Sequence, residues 1–471
     1  MKTHAIWIAG RSETPPAVLA VNDKFSGEAF AHVALADRSA LERAIAAARG
    51  ATKTMAAFAP HRRRVVLAHV ARRLRERADE LAELIAIEAG KPLRDGRVEI
   101  DRTIAIFELA AEEAVRIGGE VLAAARDERT AGTRTMTKRV PVGAVSLVTP
   151  FNFPLSLVAH KVAPAIAAGC PFVLKPSEKT PLAALALGEI LAETELPPEA
   201  WSIVVCHVED AAALVEDPRL ALLSFTGSSL GWALRAKAGK KKVVLELGGN
   251  ASCVVDADQD VSKLLPTIAR GAFGQAGQSC ISVQRLVVHR SKVDELRARL
   301  VAAARALRLG DPKDEATELG PMIDEAAAAR LERWVQHARA SGATVLTGGH
   351  RKGAVFEPTV VEGVAAGEPL RDEEAFGPVV LLETFDTFEE ALARVNDSRF
   401  GLQAGIFTND LTHAMAAWDT LEVGAVVIGD VPTFRADAMP YGGVKDSGVG
   451  REGVRSAIAD MTEERVLVLR G

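Results

Sequence analysis

Residues 143–168 read GAVSLVTPFNFPLSLVAHKVAPAIAA. The short apolar run at 143–149 predicts a buried strand, and 155–168 predicts the helix that follows it. The alternation then repeats, with strands expected at 171–175, 202–205, 221–225 and 242–247 and a helix at 181–194. Alternating strands and helices indicate a mostly parallel sheet covered on both faces, so the expected fold class is α/β.

A second α/β unit is expected to begin near Ala251. Within it the sequence predicts a strand at 285–289, helices at 291–307 and 324–341, and strands at 405–408 and 424–428. Two stretches fit neither unit: 119–126 and 133–140 predict a hairpin, and 464–470 predicts a strand at the end of the chain. Edge strands seek partners, so pairing of the last strand with another subunit is favoured over pairing within its own chain.

Composition narrows the class of protein. The chain has 471 residues and a net charge of −5, which predicts two or three globular domains and no general attraction to nucleic acid or to an anionic membrane. The first ten residues lack a signal-peptide pattern and no run is apolar enough to span a bilayer, so the expected location is cytoplasmic. The four cysteines, Cys170, Cys206, Cys253 and Cys280, show no C-x-x-C spacing, which argues against a disulfide framework and against a thiolate-rich metal site.

Cys280 is the strongest candidate for catalysis. It follows the small-residue segment GQAGQS at 274–279, which lets backbone amides approach a thiolate. A buried structural cysteine is the more common situation for an arbitrary position. The glycines and glutamines beside Cys280 weaken that interpretation, which is kept for the other three cysteines.

Two polar residues at predicted strand ends are candidate partners. Glu246 ends an apolar strand at a Gly-Gly turn, where partial desolvation would raise its pKa toward that of a general base. Asn152 lies between aromatic and proline residues and offers an amide donor for an oxyanion. Taken alone, a surface acid is the better interpretation of Glu246, and a turn asparagine is an equally good one of Asn152.

Other motifs suit a nucleotide. Lys175 and Glu178 follow a predicted strand and have the chemistry to bind ribose hydroxyls, while FTGSS at 225–229 opens a helix whose free amides suit a phosphate. The segment GVGREG at 448–453 matches the dinucleotide fingerprint. Only 18 residues follow it, too few for a strand–helix–strand unit, so it is predicted to be a glycine-rich loop.

Together these motifs resemble those of the aldehyde dehydrogenase superfamily over nearly the whole chain. The matching segments are PFNFP at 150–154, KPSE at 175–178, FTGS at 225–228, ELGGN at 246–250, GQSC at 277–280, EAFGP at 374–378 and PYGG at 440–443. The resemblance implies that Cys280 is the nucleophile, that Asn152 and the Cys280 amide stabilise the oxyanion, and that Glu246 activates the hydrolytic water. An aldehyde would thus become a thioester on Cys280 and then a carboxylic acid.

The resemblance also implies a nicotinamide cofactor and a division of the chain. Lys175 and Glu178 would hold the adenine ribose, Ser228 the pyrophosphate, and Glu374 the nicotinamide ribose, with Phe376 beside the nicotinamide. The remaining cofactor-binding residues implied are Thr149, Pro150, Phe151, Ser177, Phe225, Gly227 and Leu247. Glu178 would repel a 2′-phosphate, which favours NAD over NADP. The implied domains are a cofactor domain (1–118 and 138–248), a catalytic domain (249–436) and an oligomerisation tail (119–137 and 452–471) of a homodimer or homotetramer.

Substrate preference rests on fewer residues. Arg102 on a helix predicted at 98–114, His160 and Arg435 are expected to reach the pocket of Cys280 and Ser279, where they would bind a small polar or anionic aldehyde. Structural hydrogen bonds or salt bridges are an equally good interpretation of these three side chains. The segments 160–164 and 439–453 are most similar to the branch that acts on lactaldehyde-like and phosphono- or sulfo-substituted aldehydes. The alternatives are a CoA-acylating dehydrogenase or thiol acyltransferase and a non-catalytic structural relative.

Overall fold

The computed structural model describes residues 1–470. Its first sheet has eight strands, in the order Gly448–Val449, Lys242–Glu246, Leu222–Thr226, Val145–Val148, Phe172–Lys175, Trp201–Ile203, Ile6–Ile8 and Arg11–Glu13. The five strands from Lys242–Glu246 to Trp201–Ile203 are mutually parallel, as the strand–helix alternation predicts.

The second sheet has seven strands, in the order Thr344–Thr347, Thr359–Glu362, Val379–Phe385, Arg285–His289, Ser252–Val255, Gln403–Phe407 and Ala425–Ile428. Only the first of these is antiparallel to its neighbour. The three strands at the start of that order were not predicted from the sequence. The fold class is α/β, in agreement with the expectation.

Residues 1–470 form sixteen α-helices around these sheets. They are Arg38–Gly50, Thr52–Ala57, Pro60–Glu76, Ala78–Ala89, Leu93–Ala114, Ser156–Ala168, Leu182–Ala192, Ala212–Glu216, Leu230–Lys237, Val261–Phe273, Val293–Ala306, Glu325–Ala340, Pro369–Asp372, Phe388–Asn396, Leu411–Thr420 and Val454–Asp460. The helix Ser156–Ala168 is buried on every side, which explains why its sequence is apolar almost throughout. Among residues 1–470, no helix combines the length and the apolar character needed to cross a bilayer.

The last strand finds its partner inside the chain. Thr462–Leu469 pairs antiparallel with Arg134–Pro141, which also pairs with Val121–Leu122 to complete a three-stranded sheet. The expectation that another subunit supplies this strand's partner is therefore wrong. The strand Arg134–Pro141 pairs with Val121–Leu122 along one edge. Along its other edge it pairs residue for residue with the terminal strand, from Thr462 to Leu469.

Smaller sheets complete the structure. Thr3–His4, Ala29–Ala34 and Val18–Asn22 form a three-stranded sheet. Two-stranded pairs join Arg351–Lys352 to Val355–Phe356 and Phe400–Gly401 to Val444–Lys445. The segment 448–453 begins with the edge strand Gly448–Val449, which is antiparallel to its neighbour, and the helix Val454–Asp460 and the strand Thr462–Leu469 follow it. The last strand belongs to a different sheet, so the rejected dinucleotide fingerprint is not part of a parallel strand–helix–strand unit.

Candidate active site

A cavity of about 860 Å³ lies where the carboxyl ends of the first sheet face the loops of the second. Ligands of parallel sheets bind at such strand ends. The cavity brings together most of the residues selected from the sequence: Arg102, Pro150, Phe151, Asn152, His160, Gly227, Ser228, Glu246, Leu247, Ser279, Cys280, Glu374, Phe376 and Arg435. Thr149, Lys175, Ser177, Glu178 and Phe225 do not line it.

Cys280 is the one cysteine among residues 1–470 that is partly exposed, and it faces this cavity. Its Sγ lies 3.1 Å from Tyr441 Oη. Dense surroundings raise the pKa of the Cys280 thiol to about 12, against the opposing effect of the Tyr441 hydrogen bond. Burial also raises the pKa of Cys170 and of Cys206 to about 11. Since a thiolate needs access and a stabilising donor, only Cys280 among the four is placed to react.

The loop that carries Cys280 has an unusual backbone. Gln275 and Ala276 have φ values of 54° and 53°, and Gly277 has a φ of 65°. A Cβ at Gly277 would lie 2.0 Å from the carbonyl oxygen of Gly377, so the loop packs directly on the segment that follows Glu374. Close packing at this glycine fixes the cysteine loop against the second sheet.

Glu246 ends its strand with a fully enclosed carboxyl group. Neither carboxylate oxygen has a hydrogen-bond partner among residues 1–470, although the side chain is buried. Burial and the nearby negative charge of Glu452 raise the pKa of Glu246 well above its usual range. An unpartnered carboxyl group with a raised pKa is suited to take a proton from a water molecule.

The Gly-Gly turn after Glu246 is required by space. A Cβ at Gly249 would lie 2.1 Å from the Cys280 carbonyl oxygen, and one at Gly248 would lie 2.6 Å from the Glu374 carboxylate. The Gly249 amide donates to Glu374 Oε1 over 3.0 Å. The turn therefore joins the segments of Glu246, Cys280 and Glu374, which explains the Gly-Gly sequence.

Asn152 follows the strand Val145–Val148 and is directed at the cysteine loop. Its Nδ2 donates to the Gln278 carbonyl oxygen over 2.8 Å, and its Oδ1 is buried without a partner. An amide nitrogen carries two hydrogens, so one remains to donate to an oxyanion beside Cys280.

Sequence reasoning missed the buried ion cluster behind Glu246. Lys161 Nζ donates to Glu452 Oε1 over 2.9 Å and to Ser224 Oγ over 2.8 Å, while Arg435 Nη2 lies 3.3 Å from Glu452 Oε2. Burial raises the pKa of Glu452, but the Lys161 and Arg435 cations outweigh it and lower that pKa to about 2. A lysine in an otherwise apolar helix was the available sequence signal for this cluster.

Arg102 and His160 meet at Asp437, which was also missed. Arg102 Nη2 donates to Asp437 Oδ1 over 2.7 Å, and His160 Nε2 lies 3.3 Å from the same oxygen without hydrogen-bond geometry. Burial and the Arg435 cation lower the pKa of His160 to about 4, so the ring is neutral at pH 7. Arg435 Nε is buried without a partner. Arg102 and Arg435 thus form salt bridges while His160 is neutral, and all three side chains line the cavity.

Four of the remaining predicted cofactor residues lie at or just after the carboxyl ends of the strands Val145–Val148 and Phe172–Lys175. Lys175 Nζ and Glu178 Oε1 are 3.7 Å apart, and that oxygen is buried without a hydrogen-bond partner, as is Thr149 Oγ1. Ser177 Oγ accepts from the Lys179 amide over 3.2 Å. Unpartnered polar atoms beside a lysine fit the two hydroxyls of a ribose.

The phosphate and nicotinamide segments lie nearer to Cys280. A Cβ at Gly227 would lie 2.6 Å from the Phe225 ring, and Ser228 precedes the helix Leu230–Lys237. Burial raises the pKa of Glu374 to about 7. Phe376, whose φ is 45°, contacts Phe151 edge-on with ring centroids 5.8 Å apart. These residues fit a dinucleotide that runs from Glu178 toward Cys280.

Comparison with known proteins finds similarity over nearly the whole chain. A family model described as the aldehyde dehydrogenase family matches residues 7–467. A 3-sulfolactaldehyde dehydrogenase of Priestia aryabhattai is 40% identical over 471 residues, which are 100% of this chain and 98% of the relative. A lactaldehyde dehydrogenase of Methanococcus aeolicus is 35% identical over 455 residues, covering 95% of this chain and 96% of the relative.

Solved structures are similar over the same extent. Aldehyde dehydrogenase 21 from Physcomitrella patens, in complex with the reaction product succinate, is 48% identical with a TM-score of 0.98 and covers 100% of this chain and 98% of that one. The glyceraldehyde-3-phosphate dehydrogenase GapN from Methanocaldococcus jannaschii, complexed with NADP, is 36% identical with a TM-score of 0.92 and covers 96% and 99%.

Proposed function

The chain belongs to the aldehyde dehydrogenase family, and we propose that it oxidises a short anionic aldehyde to its carboxylic acid through an adduct on Cys280. Membership makes the protein an aldehyde-oxidising enzyme that uses a nicotinamide cofactor. The roles of individual residues and the substrate class are the proposal.

The observation that carries the substrate class is the charge around Arg435. Three cations, Arg102, Lys161 and Arg435, face two ionised carboxylates, Asp437 and Glu452. The buried Arg435 Nε has no hydrogen-bond partner among residues 1–470. A carboxylate or sulfonate on the substrate would pair with that donor beside the cations.

The relatives give independent support. Sulfolactaldehyde, in the name of one relative, carries a sulfonate, and succinate, the product in one solved structure, carries a second carboxylate. Both compounds place an anionic group a few bonds from the aldehyde or acid carbon. A cavity with Cys280 and Arg435 on its walls suits such a molecule.

The proposed chemistry uses four groups of the chain. The Cys280 thiolate adds to the aldehyde carbon, and the free Asn152 N–H and the Cys280 amide stabilise the oxyanion. A bound nicotinamide cofactor supplies the hydride acceptor, which leaves the acyl group on Cys280 as a thioester. Glu246 takes a proton from water, the water attacks the thioester, and the acid is released with the thiol restored.

Lys175, Glu178, Ser228 and Glu374 would hold that cofactor, together with the other members of the predicted set. We keep NAD as the preferred form, because a 2′-phosphate beside the Glu178 carboxylate would be repelled.

The assembly proposal concerns the three-stranded sheet. Val466 and Val468 are 55% and 53% exposed on the terminal strand, and Val121 is 85% exposed on the hairpin. Exposed apolar side chains on one sheet favour contact with a second copy, in a homodimer or homotetramer. The division into cofactor domain, catalytic domain and oligomerisation tail, and the cytoplasmic location, stay predictions.

A substrate pair tests the proposed function. Succinate semialdehyde and butanal have four carbons each and differ in the distal carboxylate. We expect kcat/KM for succinate semialdehyde to be well above kcat/KM for butanal. Arg102→Met should lower kcat/KM for succinate semialdehyde by about 10- to 150-fold and leave butanal within a few-fold, since hydrogen bonds to charged groups contribute roughly 1.5–3 kcal/mol.

Lactaldehyde, phosphonoacetaldehyde and hexanal complete the panel, with both cofactors. A clear preference for hexanal would contradict the anionic substrate. Cys280→Ser should abolish oxidation of every aldehyde. Product analysis with coenzyme A present separates the hydrolytic reaction, expected from Glu246, from CoA acylation.

A further inference from the structure

Tyr441 is the only tyrosine in the chain, and its hydroxyl contacts the predicted nucleophile. It belongs to the segment PYGG at 440–443, which the proposed reaction leaves without a role. The side chain is 4% exposed. Its backbone N–H donates to the Glu452 carbonyl oxygen over 3.0 Å, and the Glu452 N–H donates back over 2.6 Å. The residue is therefore held in place by both sides of its peptide unit.

The phenol hydroxyl serves no other partner. Among residues 1–470, Cys280 Sγ is the single atom within hydrogen-bond distance of Tyr441 Oη, at 3.1 Å. The ring packs with Ile281, Leu402 and Met439, a contact that phenylalanine would make equally well. A buried hydroxyl is costly unless it is paired. The hydroxyl is thus explained by Cys280 and not by packing.

Arg435 fixes the ring from its other side. Its guanidinium carbon lies 3.8 Å from the centroid of the Tyr441 ring, in cation–π geometry. Glu452 holds Arg435 in turn, with 3.3 Å between Nη2 and Oε2. The position of the hydroxyl is therefore set by the same buried ions that surround Glu246.

We propose that the Tyr441 hydroxyl donates a hydrogen bond to the Cys280 thiolate and holds its sulfur for attack on the aldehyde. In the resting thiol either atom can donate, but a thiolate can only accept, so the phenol becomes the donor once Cys280 loses its proton. This role rests on Cys280 being the nucleophile of the proposed function.

The phenol is suited to remain a donor. Burial and the neighbouring Cys280 raise the pKa of Tyr441 well above its ordinary value, so the hydroxyl keeps its proton at neutral pH. The hydrogen bond acts against the burial that raises the pKa of the Cys280 thiol. Removing the hydroxyl should therefore raise that pKa further.

The rate of alkylation by iodoacetamide reports the effect of the hydroxyl on the Cys280 thiol without substrate or cofactor. The other three cysteines are buried, so modification of the folded protein reports Cys280, and Cys280→Ser gives the background. In Tyr441→Phe the alkylation rate at fixed pH between 7 and 9 should fall about 3- to 10-fold, which allows for the greater nucleophilicity of a more basic thiolate. Thr433→Val, which removes another hydroxyl from the cavity wall, should leave the rate unchanged.

A second measurement does not depend on a substitution. Because there is one tyrosine, growth with 3-fluorotyrosine changes position 441 alone, to a more acidic phenol and a stronger donor. The alkylation rate of Cys280 should be highest with fluorotyrosine at position 441, intermediate with tyrosine and lowest with phenylalanine. If Tyr441 served packing alone, the tyrosine and phenylalanine proteins would be alkylated at equal rates. The proposal is overturned if all three proteins react at equal rates, or if the rates follow the reverse order.

The two proposals fail in different ways. If Cys280→Ser still oxidises aldehydes, the proposed nucleophile is wrong, and with it the role of Tyr441. If Cys280→Ser is inactive but the alkylation rates do not follow the donor strength, only the role of Tyr441 is wrong.

Discussion

Glu246 and Glu452 are both buried carboxyl groups, yet their surroundings move their pKa values in opposite directions. Glu246 has no hydrogen-bond donor, so burial raises its pKa. Glu452 faces Lys161 and Arg435, which lower its pKa to about 2 in spite of burial. Pairs of this kind commonly divide the acid and base roles of a site. In the proposed reaction Glu452 is the fixed charge and Glu246 is the group that changes its protonation state.

The first prediction follows from that division. Glu452→Gln removes a negative neighbour and leaves the positive charges of Lys161 and Arg435 uncompensated, so the pKa of Glu246 should fall. The rising limb of acid formation against pH should then move to lower pH, by about one unit or more. Glu246→Gln should lose the limb altogether. A limb that stays in place in Glu452→Gln would contradict the coupling; steady-state kcat from pH 5 to 9 is the measurement.

The second prediction concerns His160, whose folded-state pKa of about 4 is below the ordinary value of 6.5. Between about pH 6.5 and pH 4, His160 is protonated in the unfolded chain but neutral in the folded chain. The contribution of His160 to the free energy of unfolding is therefore present in full above pH 6.5 and is lost as the pH falls toward 4. Between pH 6.5 and 5 the loss from this group is about 1.5 kcal/mol. His160→Leu should reduce the pH dependence of the unfolding free energy by that amount, measured by urea denaturation. An identical pH dependence in both proteins would show that His160 is not buried neutral.

At this scale the sequence was informative where chemistry is local. Cys280, Glu246 and Asn152 were selected from their neighbours and from a family resemblance, and all three line one cavity. Lys161 and Glu452 were missed because they are 291 residues apart and each is unremarkable in its own segment. A partner at that distance along the chain is visible only once the helix Ser156–Ala168 packs beneath the loop of Glu452.

At the scale of elements, strand positions were predicted well where burial is complete. The strand Arg285–His289 has the predicted bounds, and the five parallel strands of the first sheet differ from the prediction by one or two residues at their ends. The three other strands of that sheet, Ile6–Ile8, Arg11–Glu13 and Gly448–Val449, were not predicted. The strand Val379–Phe385 was missed. Hydrophobic runs of this length do not distinguish a strand from a buried helix segment.

The third prediction concerns the start of the helix Ser156–Ala168, which has no side-chain cap of its own. Glu99 Oε1 accepts from the Leu155 and Ser156 amides over 3.0 and 3.1 Å, and its other oxygen pairs with the buried Lys91. Glu99→Gln leaves the Lys91 ammonium unpaired, which should cost about 3–5 kcal/mol of unfolding free energy. The double variant Lys91→Met, Glu99→Gln should recover most of it. An equal loss of unfolding free energy in the single and double variants would show that the unpaired Lys91 charge is not the cause of the destabilisation.

At the scale of the whole molecule, the end of the chain returns to its first half. Glu452 enters the cavity from a loop paired to the strand Lys242–Glu246, and the terminal strand then joins the hairpin strand Arg134–Pro141. The sequence predicted all three strands of that sheet and the hairpin between two of them, but it did not predict the pairing of the terminal strand, because an apolar strand pattern carries no information about which edge it meets. The outcome is a small sheet with apolar side chains still exposed.

The fourth prediction uses the alternation of side chains along Thr462–Leu469. Val466 and Val468 point to one face of the sheet and Leu467 and Leu469 to the other, and all four are about half exposed. If one of these faces contacts a second copy, changing its two apolar residues to glutamate should lower the mass measured by light scattering to that of the monomer. The same double change on the opposite face should leave the mass unchanged. Val65→Glu, at a 58% exposed position on the helix Pro60–Glu76, is the matched control. Because Arg139 also ties this sheet to the helix Val454–Asp460 through Ala459, monomers should keep the fold, checked by circular dichroism. A monomeric mass for the unmodified protein would rule out the assembly.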